Sequence, residues 1–164
     1  MSETREATRR KLVRLLQLAY SGEKAAALAY QGHAASVKDA VQAAMIRKIE
    51  NEEWVHREKV GKLLAELGAA PLALRELRSA IVGHTLSFLC RFTGWFLPMF
   101  FAGRLETRNV EEYDTAAAWA KEIGLDHFLP ELSEMAAVEV LHEKYFLETI
   151  GRKAPSRGAR PRRG

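Results

Sequence analysis

The chain has one cysteine, Cys90, in 164 residues, which excludes a disulfide framework and any cysteine-built zinc or iron–sulfur site. It is poor in the residues that punctuate structure, with five prolines and eleven glycines. No Gly-rich phosphate loop and no sustained strand alternation can be found. The first residues, MSETREATRRKLVRLL, lack an apolar signal core. With the scarcity of cysteine, this sets the expectation of a reducing, intracellular setting. An excess of basic charge is also missing outside one place. The formal charge is +4, but residues 151–164 hold six basic side chains and no acid. Removing those six from the 25 basic residues leaves 19 against 21 acids, a net charge of −2. The basicity therefore belongs to a Pro- and Gly-broken tail, expected to be disordered and mainly solubilising. No specific nucleic-acid partner is expected.

What the chain does have is Ala, Leu, Glu, Lys and Arg in abundance, a helix-forming composition long enough for one four-helix core. Periodicity predicts a first helix over about Glu3 to His33. A second is predicted from Val37 to Leu67, capped by Ser36 and stopped by Gly68. Two more follow, from about Pro98 to Ile123 and from Leu129 to Ile150, the last stopped by Gly151. Between the second and third lies AIVGHTLSFLCRFTGWFLPMFFA, residues 80–102, apolar nearly all round. Its central Arg91, Gly94 and Pro98 argue against a membrane span and for a short apolar helix from about Leu74 to Trp95. The division is a helical bundle over 1–151 and a basic tail over 152–164.

Each predicted bundle helix carries an apolar stripe at 3–4 spacing, and each stripe has a hole. Leu12, Leu16, Ala19, Ala26 and Tyr30 omit position 23, which is Glu23. Met45, Ile49, Val60, Leu64 and Leu67 leave out Glu53 and His56. In the third helix Met99, Ala102, Val110, Tyr113 and Ala117 skip Glu106. Leu132, Met135, Phe146 and Ile150 bracket Glu139 and His142. Two of these interruptions are Glu-x-x-His pairs, Glu53-Trp-Val-His56 and Glu139-Val-Leu-His142, whose members share one helix face.

Buried carboxylates are costly unless paired or coordinated. Two divalent ions would balance the four negative charges of Glu23, Glu53, Glu106 and Glu139, with His56 and His142 as neutral imidazole ligands. The expectation is a ferritin-like four-helix bundle with a di-metal carboxylate centre and an extra apolar helix in the crossover. Oxygen and imidazole donors favour iron, with manganese or zinc as alternatives. Glu53 and Glu139 are expected to bridge, and Glu23 and Glu106 to be terminal ligands. Tyr113, two turns from Glu106, is a candidate neighbour of the centre, although a core aromatic is the commoner role. Glu50, Glu52, Glu58, Glu111, Glu112, Glu134 and Glu143 are read as solvated faces. His33, His84 and His127 are read as caps, core or surface residues.

With these residues in view, the sequence resembles the demethoxyubiquinone hydroxylase family of di-iron enzymes of ubiquinone biosynthesis over about residues 12–150. Gly22-Glu23, the two Glu-x-x-His pairs, and an apolar segment leading into Leu105-Glu106 with Tyr113 seven residues on carry the resemblance. It departs from the family at Glu112-Tyr113-Asp114, where His-Tyr-Asn is usual, and in a more aromatic middle segment. The resemblance implies an O2-dependent monooxygenase that hydroxylates a quinone-like lipid, with NADH as reductant. It implies action at the inner face of a membrane, peripherally from the cytoplasm, with residues 80–102 as the membrane- and substrate-contacting element. A homodimer is a further possibility for that apolar patch. The competing expectations are a ferritin- or rubrerythrin-like iron oxidase or peroxidase and a non-enzymatic membrane-binding helical protein.

Overall fold

The computed structural model describes residues 3–153, which form helices joined by short turns. The helices are α1 (Glu3–Ser36), α2 (Ala40–Glu66), α3 (Ala73–Leu89), α4 (Phe96–Glu122) and α5 (Leu129–Lys153), with a 3-10 turn at Asp126–Phe128 before α5. The architecture is an all-α, ferritin-like bundle of α1, α2, α4 and α5, with α3 in the crossover. The expected tail from Ala154 onward lies outside the described residues.

Helices α1 and α2 form one antiparallel hairpin. Arg9, early in α1, donates to the carbonyl of Leu67 beyond the end of α2 at 2.5 Å. Helices α4 and α5 form the second. The two hairpins also pack antiparallel. Thr8 Oγ1 donates to Glu122 Oε1 at 2.9 Å between α1 and α4, and Lys59 pairs with Glu134 at 2.6 Å between α2 and α5. Gly68 follows the end of α2 and Gly124 the end of α4, at φ 65° and 74°, a left-handed backbone that glycine adopts without strain.

Several boundaries differ from the sequence expectation. The N-cap of α2 is Asp39, whose carboxylate accepts from the backbone of Val41 and Gln42, so α1 runs through Ser36 and only residues 37–39 turn. Helix α3 stops at Leu89, because residues 90–95 bend the chain back through Gly94 at φ 69°. Pro98 does not start α4. It sits in the first turn, where its missing N–H has no acceptor to lose. Gly151 does not stop α5, which continues to Lys153.

The interior is two apolar clusters with polar side chains between them. One is built around Leu12, Leu16, Leu64, Phe128, Leu132 and Met135, the other around Tyr30, Ile46, Ile49, Met99 and Phe146. Ile46 rather than Met45 completes the α2 stripe. Helix α3 lies against α1 and buries only Gly83. A Cβ on Gly83 would lie 2.7 Å from Leu28 Cβ, and one on Gly32 would collide with the backbone of Ser87. The two helices thus meet backbone to backbone, and the large side chains of α3 have no core to enter. Glu76, in the first turn of α3, ties the crossover down by accepting from Arg57 at 2.5 Å and from Ser21 at 2.9 Å.

This close approach makes a prediction. Gly32→Ala should lower stability by about 2–3 kcal/mol, because the added methyl meets backbone that cannot step aside. Gly22→Ala, ten residues before it in α1 with nothing within 4 Å of the new methyl, should raise stability by about 0.5–1 kcal/mol. Urea midpoints of the two variants should move in opposite directions.

Leu74, Leu77, Ile81, Phe88 and Phe92 of the α3 region, and Phe96 and Phe101 of α4, are exposed. No helix among the described residues is long and apolar enough to cross a membrane.

Candidate metal centre

Glu23, Glu53, His56, Glu106, Glu139 and His142 are all buried, none more than 3% exposed, and they meet in the layer between the two apolar clusters. Each enters because it replaces an apolar residue in an inward stripe. The carboxylates come from four different helices, and the two histidines follow their glutamates by one turn on α2 and α5.

Two overlapping sets of four emerge. In one, Glu23, Glu53, His56 and Glu139 offer donor atoms that all lie within 4.8 Å of one another. The other consists of Glu53, Glu106, Glu139 and His142 under the same limit. Glu53 and Glu139 belong to both. His56 Nδ1 lies 2.9 Å from Glu139 Oε1, and His142 Nδ1 lies 3.3 Å from Glu53 Oε1 and 3.4 Å from Glu139 Oε2. Both oxygens of Glu53, Oε2 of Glu23, Oε2 of Glu139 and Nδ1 of His142 are buried without a hydrogen-bond partner. Buried polar atoms are rarely left so. Orphaned atoms of this kind on four of the six side chains, converging on one layer, fit a pair of divalent metal ions.

The electrostatics agree. Burial, then the crowding of Glu23, Glu106 and Glu139, pushes the Glu53 carboxyl well above the usual range. Burial likewise raises Glu106 and Glu23. Burial opposes charge on His142, yet the carboxylates of Glu106 and Glu139 outweigh it and raise its pKa to about 10. Glu139 is the member held low, because Glu106, His142 and His56 together outweigh its burial. Without metal the cluster therefore keeps its charge down by holding protons, and two metal ions would displace them.

Three further side chains support the cluster, and of these only Tyr113 was named from the sequence as a candidate neighbour of the centre. Tyr113 of α4 donates to Glu23 of α1, and Tyr30 of α1 donates to Glu106 of α4. Each tyrosine lies seven residues after the glutamate of its own helix and holds the glutamate of the opposite one. The repeated Glu-x6-Tyr spacing was a legible signal. Tyr30 was read only as a stripe residue, and Tyr113 was considered beside Glu106 rather than Glu23. Glu52, read as a solvated face, accepts from His142 Nε2 at 3.0 Å and is itself held by Lys48 at 2.8 Å. That contact turns the other ring nitrogen, Nδ1, toward the cluster. The rival glutamates lie elsewhere: Glu112 pairs with Arg108, Glu58 with Lys62 and Glu134 with Lys59. His127 pairs with Glu66 at the surface, and His84 is exposed.

His33 is buried behind this layer, stacked against Tyr30 and Phe146, and burial alone draws its pKa from 6.5 down to about 4. A base kept neutral in the fold takes up a proton in the unfolded chain below pH 6.5. Stability contributed by neutral His33 is therefore present above 6.5 and is lost as pH falls toward 4. By pH 5 the loss should be about 2 kcal/mol. Urea midpoints of metal-free protein at pH 7 and pH 5 should differ by that much more in the parent than in His33→Phe.

Among proteins of known kind, the family described as "Ubiquinone biosynthesis protein COQ7" matches residues 10–158, nearly the whole chain. No curated protein matches the chain.

Proposed function

The chain belongs to the COQ7 family of ubiquinone biosynthesis proteins, and on that premise we propose that it is a di-iron, O2-dependent monooxygenase that hydroxylates a quinone-like lipid at a membrane surface. The observation that carries the proposal is the pair of overlapping four-donor sets sharing Glu53 and Glu139.

In this reading Glu53 and Glu139, common to both sets, would be shared by the two irons. Glu23 and His56 would help hold one, and Glu106 and His142 the other. Iron bound there supplies the activation of O2. The chain supplies the rest. Tyr113 and Tyr30 hold the terminal carboxylates at fixed angles, and Glu52 fixes the ring of His142. The apolar clusters on either side exclude bulk water, which strengthens every interaction in the layer. Manganese or zinc would find the same donors.

The exposed side chains Leu77, Ile81, Phe88, Phe92, Phe96 and Phe101 support the membrane part of the proposal. Arg75, Arg78, Arg91 and Arg104 are exposed among them. An apolar surface fringed with arginine suits the boundary of a bilayer with anionic headgroups. NADH is proposed as reductant from the family resemblance.

The test is a reconstitution. Iron-loaded protein, supplied with O2, a chemical reductant and a short-chain methoxybenzoquinone, should release a hydroxylated quinone. It should also float with anionic liposomes, and Phe92→Glu/Phe101→Glu should stay in the dense fraction with its iron content unchanged. Iron oxidation without any change in the quinone would point to a ferritin-like oxidase instead. Lipid binding without either reaction would point to a non-enzymatic membrane protein. Self-association of lipid-free protein, abolished by the same double substitution, would assign the face to a homodimer.

A further inference from the structure

Charge is unevenly placed along the chain. Residues 152–164 hold Arg152, Lys153, Arg157, Arg160, Arg162 and Arg163 and no acid, whereas the residues before them carry 19 basic side chains against 21 acids. The helical bundle by itself is net negative, so a bilayer with anionic headgroups does not attract it. The register of α4 and α5 fixes where the basic run leaves the bundle. Thr107 Oγ1 donates to Glu143, and a Cβ on Gly103 would lie 3.3 Å from Phe146 Cβ. Seven residues back from Gly103 along α4 is Phe96, and seven on from Phe146 along antiparallel α5 is Lys153, where that helix ends. The run therefore departs level with Phe96, a member of the exposed aromatic face. A second contact agrees. Arg152 lines a groove with Gln42, and Gln42 accepts at 2.9 Å from the indole of Trp95, the residue before Phe96. Helix α3 brings its own aromatics to this end, because it runs parallel to α1. Glu76 meets Ser21 near one end of the contact, and Ser87 meets Gly32 near the other. Exposed Phe88 and Phe92 follow Ser87, with Arg91 exposed between them.

We infer that the basic run from Arg157 to Arg163 is a second membrane-contacting element, which binds anionic lipid headgroups beside the aromatic face and is not merely solubilising. The inference rests on the membrane part of the proposed function and adds to it the lipid charge that the surface requires. Arg152 is already paired with Glu148 at 3.2 Å, so the four arginines beyond α5 carry the attraction. Residues 154–164 can span at most about 36–40 Å. The exposed length of α3 from Leu77 to Leu89 is about 18 Å, so these arginines can meet the same patch of bilayer as the face. Stable attachment commonly combines an apolar and a polybasic signal, and tethering two weak contacts on one chain strengthens both. The aromatic side chains enter the apolar boundary, and the arginines meet phosphate oxygens. A nucleic acid also offers phosphates, but it has no apolar layer beside them for Phe88, Phe92 and Phe96 to enter.

The test is vesicle cosedimentation of the full chain at physiological salt. One set of vesicles is phosphatidylcholine alone, and the other has phosphatidylglycerol mixed in. The variant Arg157→Gln/Arg160→Gln/Arg162→Gln/Arg163→Gln lies outside the bundle and should keep the parent's helical circular dichroism and iron content. It should bind neutral vesicles as the parent does and lose affinity for the anionic ones by about a hundred- to a thousandfold. Raising salt to about 1 M, where the screening length falls to about 3 Å, should bring the parent down to the variant's level on anionic vesicles. Equal affinity of parent and variant for anionic vesicles overturns the inference and leaves the membrane reading, carried by the aromatic face, intact. Failure of the parent to bind either kind of vesicle overturns the membrane reading, and the inference with it. A duplex oligonucleotide that binds the parent more tightly than anionic vesicles do, and releases the variant, also overturns the inference and makes the run a nucleic-acid contact.

Discussion

Replacing Glu139 with alanine should remove both metal ions, whereas replacing Glu23 should remove one. Glu139 belongs to both four-donor sets, and Glu23 to only one. Glu139 is also the carboxylate that the cluster holds low, with His56 Nδ1 at 2.9 Å from one oxygen and His142 Nδ1 at 3.4 Å from the other. Its removal takes a shared ligand from each ion. Loss of one ligand typically costs orders of magnitude in metal affinity, and even outer-sphere partners cost ten- to a hundredfold. Anaerobic reconstitution followed by elemental analysis should therefore give two irons per parent chain, about one for Glu23→Ala, and none for Glu139→Ala. Two irons retained in Glu139→Ala would refute the assignment of the layer as a di-metal centre.

The second large effect has the opposite sign. In metal-free protein, Glu53→Met should increase stability by about 1–3 kcal/mol while abolishing metal binding. Neither oxygen of Glu53 has a hydrogen-bond partner, and its side chain is completely buried. Its carboxyl is forced well above the usual range by burial and by three neighbouring carboxylates. An apolar side chain of similar volume removes an unsatisfied group at the cost of the 3.3 Å approach of His142 Nδ1. Replacing buried charged clusters with apolar residues gives gains of this size. Urea unfolding with a chelator present measures it, and a midpoint at or below the parent's would show that the cluster stabilises the fold without metal. The position is a trade between stability and function, and only bound metal reverses the balance.

These two effects show how much could be seen before the chain was folded. All six cluster residues are legible as holes in apolar stripes, because an α-helix repeats every 3.6 residues and its inward positions can be counted. That Glu53 and Glu139 stand in both donor sets is visible only once the four helices are packed. The partners of the terminal carboxylates were not legible in the same way. Counting assigns Tyr113 to the face of Glu106, its own helix neighbour, but its hydroxyl reaches across to Glu23. Antiparallel packing of α1 and α4 decides which glutamate each tyrosine meets, and periodicity within one helix holds no information about it. Glu52 escaped for a related reason. It lies off the buried stripe, and only the nearness of α5 gives it His142 to hold.

The amino-acid sequence by itself determined the helices, the inward faces and the chemistry of the residues that interrupt them, since these depend on local periodicity and side-chain type. Tertiary structure decided what depends on separation in space. It merged four interrupted stripes into two overlapping donor sets and crossed the tyrosines between α1 and α4. It also set α3 so close to α1, through Gly32 and Gly83, that its aromatic and aliphatic side chains were left on the surface. An apolar segment read along the chain looks like core. It becomes an exposed face only because the helix it meets offers a glycine-lined contact with no room for side chains.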